Sequence, residues 1–124
     1  MDIIISNAGG QPIYDQITRQ IKGHILSGVL QEGEALPSMR ALARDLRISV
    51  ITTKRAYEEL ERDGFICTVA GKGSFVAQQD LELAKESNLR EIEAHLQAAV
   101  ELGRQIELTV DDLQNILKVL SEEE

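Results

Sequence analysis

Between Leu36 and Val76 the sequence sets two short apolar-periodic segments, a three-residue interruption and a glycine-tipped pair of β-rich runs in unbroken succession. None of these pieces is long enough to be stable alone, so they must fold around one shared core. Leu36-Pro37-Ser38 opens the first segment: serine is a good N-cap, and Met39, Leu42, Ala43 and Leu46 follow at helical core spacing. This predicts a helix of about two turns. Arg47-Ile48-Ser49 then interrupts, with Ile48 placed to plug the core and Ser49 to cap a second helix from Val50 to about Asp63. Gly64 supplies a left-handed stop.

Two short helices joined by a three-residue turn satisfy the requirement of a helix-turn-helix. Phe65-Ile66-Cys67-Thr68-Val69 and Ser74-Phe75-Val76 have strand composition, and Gly71-Lys72-Gly73 offers the positive φ angles of a hairpin turn. The predicted fold class is therefore mainly α with a small β-hairpin: a winged helix-turn-helix followed by a two-helix tail. On the second helix the buried stripe is Thr53, Ala56, Tyr57 and Leu60. The opposite face carries Ile51, Lys54, Arg55, Glu58 and Arg62, with Thr52 at the boundary.

Upstream, Pro12 suits the first position of a helix, where its missing N–H costs nothing, and Ile13, Ile17, Ile21 and Ile25 recur at four-residue spacing as far as Gly28. Gly23 weakens this helix by roughly 1 kcal/mol relative to alanine and is read as a close approach of neighbouring backbone. Gln31-Glu32-Gly33-Glu34 reads as a polar loop.

From Asp80 onward the pattern changes. Leu89, Ile92, Leu96, Ala99, Gly103 and Ile106 are spaced as a heptad-like seam, which needs a partner. Thr109 is placed as an N-cap, Asp111 and Asp112 favour the helix dipole, and Val110, Leu113, Ile116, Leu117 and Leu120 form a second stripe. The tail is expected to be a helical hairpin with an acidic exterior and fraying over Ser121-Glu122-Glu123-Glu124. Leu89, Ile92, Leu96, Ala99, Leu113 and Leu117 are its expected dimerisation residues. The boundaries follow: residues 11–79 as the winged domain and 80–124 as the dimerisation region, within a chain of 124 residues that cannot hold two full-sized cores.

Charge separates the same two regions. The chain carries a net charge of -8, but residues 11–79 hold nine Lys/Arg against eight Asp/Glu, while residues 80–124 hold four against twelve. Cations gather at Arg40, Arg44, Arg47, Lys54 and Arg55 within the first block. Four aromatic residues cannot build a base-stacking platform. A lone Cys67 and two isolated histidines, His24 and His95, provide no zinc-ligand spacing, so neither metal nor cofactor is expected. Cys67 reads as a strand residue. Ile3-Ile4-Ile5 is far too short to span a bilayer, and the chain is expected to be soluble, cytoplasmic and free of membrane.

DNA recognition needs donors that fix the protein on phosphates and side chains that reach base edges. Ser38 and the N–H groups beside it, Arg40, Ser49, Thr52, Lys54 and Arg55 are candidates for both duties, and Lys72 between two glycines can lie against a phosphate. The bland reading is a solvated basic face. A stronger rival is a winged helix that binds protein without specific DNA binding, which shares the apolar pattern. Cations at both the recognition helix and the wing tip argue against it. No paired carboxylates or nucleophile arrangement supports an enzyme.

From Pro12 to Ala77 the chain resembles the GntR family of bacterial transcriptional regulators. The landmarks are Leu36-Pro37-Ser38 with Arg40, Leu42-Ala43, Ser49 followed by Thr52, Ala56-Tyr57, Leu60, Asp63-Gly64, and Gly71-Lys72-Gly73 followed by Phe75-Val76. The short tail is similar to that of the YtrA subfamily, whose two helices serve dimerisation and whose members often regulate transporter operons. The resemblance implies DNA contacts at Arg40, Ser49, Thr52, Lys54 and Gly71 to Gly73, and a homodimeric repressor reading an inverted repeat in double-stranded operator DNA. Two positions depart from the family pattern: Val50 stands where arginine is common, and Thr53 where an apolar residue is preferred. The metal-binding and aminotransferase-like domains of other subfamilies do not fit in the tail. Any small-molecule effector would sit at the dimer interface or between tail and winged domain.

Overall fold

The computed structural model describes residues 1–122, with the elements α1 (Ile13–Leu26), α2 (Met39–Leu46), α3 (Val50–Arg62), β1 (Ile66–Val69), β2 (Gly73–Val76), α4 (Leu81–Gln105) and α5 (Val110–Glu122). It is mainly helical with one small hairpin, as the pattern predicts. Two compact units divide the chain, Met1–Leu81 and Glu82–Glu124, and each is described by itself.

In the first unit, four-residue spacing puts Ile17, Ile21 and Ile25 on one face of α1, where they join Leu42 of α2, Ala56, Tyr57 and Leu60 of α3, and Ile66 and Val76 of the hairpin in one core. Pro12 stands just outside α1 rather than in it. Its extended ψ of 146° turns its carbonyl toward the helix, where it accepts from the N–H groups of Asp15 and Gln16 at 3.1 Å each. Gly23 marks no close approach, because a Cβ there would meet nothing within 4 Å.

Three segments form the wing. β1 and β2 pair antiparallel with Ile66 opposite Val76 and Val69 opposite Gly73. The strand begins one residue later than predicted, since the Phe65 N–H is committed to the Leu60 carbonyl at the end of α3. The supposed polar loop contributes the third segment: Gly33 N–H donates to Val76 O, Val76 N–H to Glu34 O and Leu36 N–H to Ser74 O, each at 2.9 Å. Polarity hid this pairing, because an edge strand facing water carries no apolar alternation to betray it.

An N-terminal arm, unforeseen in the sequence, lies along α1. Ile3 and Ile5 pack against the core, while Ile4 points outward.

In the second unit the expected hairpin is not closed. α4 ends at a left-handed Glu107 (φ 59°), with Leu108 N–H donating to Gly103 O and Glu107 N–H to Arg104 O, the two bonds of a Schellman motif. Thr109 caps α5 as predicted: its hydroxyl accepts from Asp112 N–H at 3.2 Å while the Asp112 carboxylate accepts from Thr109 N–H at 2.9 Å. The helices meet at this corner, where Gly103 is buried close to Leu108 and Leu113, rather than side by side. Their apolar stripes elsewhere stay exposed, because two helices that touch at one end cannot cover each other. Ser121 and Glu122 are helical; the fraying expected at residues 123 and 124 lies outside the described residues.

Candidate nucleic-acid interface

The orientation of α3 is set by two of its buried hydroxyls. Thr53, fully buried, shares its one hydroxyl proton between the Met39 carbonyl at 3.0 Å and the Val50 carbonyl of its own helix at 2.9 Å, and Tyr57, one turn on, donates to the Pro37 carbonyl at 2.7 Å. The Met39 and Pro37 carbonyls lie where the chain enters α2, so the start of one helix is pinned to the face of the next. The departure at Thr53 is thereby explained as a packing residue with a hydrogen bond to make. Burial pushes the Tyr57 phenol up to about 12, which keeps it a neutral donor.

Both α2 and α3 start with a serine cap. Ser38 accepts from Ala41 N–H at 3.0 Å, and Ser49 from Thr52 N–H at 3.2 Å while sharing a 3.0 Å hydrogen bond with the Thr52 hydroxyl. Ser49 and Thr52 thus form one polar unit at the tip of α3. Between the helices Arg47 takes the left-handed conformation (φ 58°), with its N–H on Arg44 O and the Ile48 N–H on Ala43 O. This second Schellman motif makes the turn three residues long. In the sequence Arg47 counts only among the cations; the signal for its backbone role is a polar residue followed by a core-bound isoleucine after the last helical leucine.

The structure sorts the cations of residues 11–79. Arg19, Lys22, Arg44, Lys54, Arg55 and Arg62 each stand within 4.0 Å of a carboxylate, whereas Arg40, Arg47 and Lys72 have none at that distance among the described residues. Lys54 meets Glu58 at 3.9 Å in the open, a pairing worth little. Arg55, a candidate for DNA contact, is engaged within the protein. Its guanidinium stacks over the Tyr14 ring at 3.7 Å from the centroid and meets Glu59 at 3.7 Å, so it ties α3 to α1.

At the wing tip Lys72 N–H closes a turn on Val69 O at 3.0 Å, with Gly71 at φ 76° and Gly73 at φ 114°. A positive φ at the third residue of a turn is where glycine is needed. The Lys72 side chain is exposed. Of the expected dimerisation residues, Leu89, Ile92, Leu96, Ala99 and Leu117 are exposed, while Leu113 packs on Gly103 at the corner.

His24 Nε2 bonds the Asp2 carbonyl at 3.0 Å and His95 approaches Glu91 at 3.7 Å. Among the described residues no group of three His, Cys, Asp or Glu side chains could hold a metal, and no helix is long and apolar enough to cross a membrane.

Comparison with known proteins gives the following likenesses. The family described as bacterial regulatory proteins, gntR family, matches residues 13–76, just over half of the chain. The HTH-type transcriptional repressor YtrA of Bacillus subtilis is 30% identical over 119 residues, which cover 96% of this chain and 92% of that protein. A crystal structure described as a transcriptional antiterminator from Listeria monocytogenes has a TM-score of 0.78 and 32% identity, covering 98% of this chain and 90% of the other. YtrA from Sulfolobus acidocaldarius, a GntR-family transcription factor, has a TM-score of 0.60 and 33% identity, covering 74% and 97%.

Proposed function

Since the chain belongs to the bacterial GntR family of regulatory proteins, a family of helix-turn-helix transcription regulators and not of enzymes, we propose that it is a YtrA-type repressor that binds an inverted repeat as a homodimer. The carrying observation is the charge order along α3: the hydroxyls of Ser49 and Thr52 and the cations Lys54 and Arg55 lie in its first half without an acidic residue, Glu58, Glu59 and Glu61 follow, and the closing Arg62 is paired with Asp63 at 3.7 Å. Such a helix enters a phosphate-lined groove tip first.

In this reading Ser49, Thr52 and Lys54 meet base edges or the flanking phosphates. Ser38 with the N–H groups of the first turn of α2, and Arg40 beside them, hold the backbone. Lys72, presented by Gly71 and Gly73, reaches a phosphate or the minor groove. Arg55 stays on Tyr14 and orients α3. Residues 11–79 carry the DNA-binding domain and residues 80–124 the dimerisation region. The exposed seam Leu89, Ile92, Leu96 and Ala99, with Leu117, pairs two copies, since an apolar stripe of this kind requires a partner. The acidic tail is repelled by phosphate within a Debye length of about 8 Å, which orients the protein on the duplex. The working compartment is the cytoplasm, the regulated genes are a transporter operon, and a small-molecule effector, where one acts, sits against the tail.

A gel-shift with the DNA upstream of the protein's own gene tests this. Retardation that survives excess nonspecific DNA is expected; retardation abolished by that competitor returns the winged helix to a protein-binding role. Truncation after Ala77 is expected to yield monomers, and a truncated chain that stays dimeric removes the tail from the interface.

A further inference from the structure

The first turn of α3 leaves Val50 43% and Ile51 80% exposed, although the same helix buries Ala56, Tyr57 and Leu60. The core does not use these two side chains, and β-branched residues are not favoured by helix propensity. A single exposed aliphatic residue needs no explanation, but two in succession at the tip of a reading helix do. They are bracketed by the Ser49–Thr52 hydroxyl pair, and Lys54 lies one turn beyond Ile51 on the same face.

Resting on the DNA-binding reading above, the question is what in a major groove suits such a pair. Neither side chain can donate or accept a hydrogen bond, so laid against purine N7 and O6 or an exocyclic amine they would strip water from polar atoms and return nothing. The groove carries one apolar feature, the C5-methyl group of thymine. We propose that Val50 and Ile51 are specificity residues that read thymine methyl groups, so that each half-site carries thymine where the tip of α3 enters. This gives the departure at Val50 a function: the arginine common at that position is exchanged for a methyl-reading aliphatic surface.

The test starts from a duplex selected by the full-length protein out of a randomised library. Each thymine of that duplex is replaced in turn by deoxyuridine, which removes the methyl group and leaves every hydrogen-bonding atom in place. Wild-type protein is expected to lose about fourfold in affinity at one or two positions per half-site, the factor that corresponds to about 0.8 kcal/mol for one buried methyl. Ile51→Ala or Val50→Ala is expected to bind the thymine and uracil duplexes at those positions alike. Both residues are exposed, so these variants keep the fold, and circular dichroism checks that. Equal affinity of wild type for all uracil duplexes overturns the proposal while leaving DNA binding intact. Undiminished methyl discrimination in both variants overturns it as well. Failure of wild type to select any duplex instead overturns the DNA-binding reading on which it rests.

Discussion

Gln20 and Ile4 exchange two hydrogen bonds: the side-chain carbonyl of Gln20 accepts from Ile4 N–H at 2.8 Å, and its amide donates to Ile4 O at 2.7 Å. A glutamine side chain thereby acts as the neighbouring strand. Gln16 repeats the exchange with Ser6 at 2.9 and 2.7 Å, and His24 reaches Asp2 O. The register holds because four helical residues rise about 6 Å and two strand residues about 6.6 Å.

Gln16, buried, also donates to Gln11 O at 2.9 Å. Gln16→Ala should therefore destabilise the first unit by about 1–3 kcal/mol, and Gln20→Ala, more open to water, by no more than about 1 kcal/mol. Amide exchange at Ile4 and Ser6 should accelerate in both. Unchanged protection at those amides would show that the isoleucines alone hold the arm.

Tyr57→Phe leaves the Pro37 carbonyl without its donor and should cost about 1–2 kcal/mol near neutral pH. The folded-state pKa of about 12 exceeds the ordinary value of 10 for tyrosine, so the folded protein holds this proton more tightly than the unfolded chain. Its contribution is complete below pH 10 and is lost as pH rises through 12. Denaturation midpoints at pH 9 and pH 11 should draw wild type and Tyr57→Phe together; a constant gap would contradict the assignment.

Gly23 and Gly103 are both helical, yet an added alanine methyl meets different surroundings at each. Gly23→Ala adds a methyl to open space and should stabilise by roughly 0.5–1 kcal/mol. At Gly103 the added Cβ would lie in ordinary van der Waals contact, 3.4 Å from a Leu113 methyl and 3.5 Å from Leu108 Cβ, so alanine should gain packing as well as helix propensity and stabilise at least as much. Thermal unfolding of the two variants checks both expectations.

Arg47 bears a left-handed conformation that a side chain tolerates poorly. Arg47→Val should cost about 1–2 kcal/mol, since branching at Cβ makes a positive φ harder still, whereas Arg47→Gly should be neutral or stabilising. Equal losses from both would place the contribution in the arginine side chain instead of the backbone.

Removing one phosphate contact should flatten the dependence of log affinity on log salt by about one unit. Lys72→Ala and Lys54→Ala are each expected to do so if they bind phosphate, and Arg55→Ala is expected to lower stability more than it alters the slope, because of Tyr14. An unchanged slope for Lys72→Ala would remove the wing tip from the interface.

Where one residue type solves one local problem, the sequence could be read directly. Ser38, Ser49 and Thr109 were recognisable as caps, because few side chains satisfy an orphan N–H at a helix start, and Gly64, Gly71 and Gly73 as positive-φ positions. The spacing of Thr53, Ala56, Tyr57 and Leu60 predicted which face of α3 is buried. The arm, the third wing segment at 33–36 and the stacking of Arg55 on Tyr14 were not legible, since each joins polar groups distant in sequence and leaves no periodic trace.

Local chemistry alone thus determined the order of the elements, their caps and turns, and the cationic start of α3, because those features depend on neighbours within about five residues. Tertiary structure decided which cations are engaged, how Thr53 and Tyr57 fix α3 against the entrance to α2, and that the tail helices meet at a corner with their seams open. These depend on contacts between distant segments, for which only packing in three dimensions can select among the partners that composition allows.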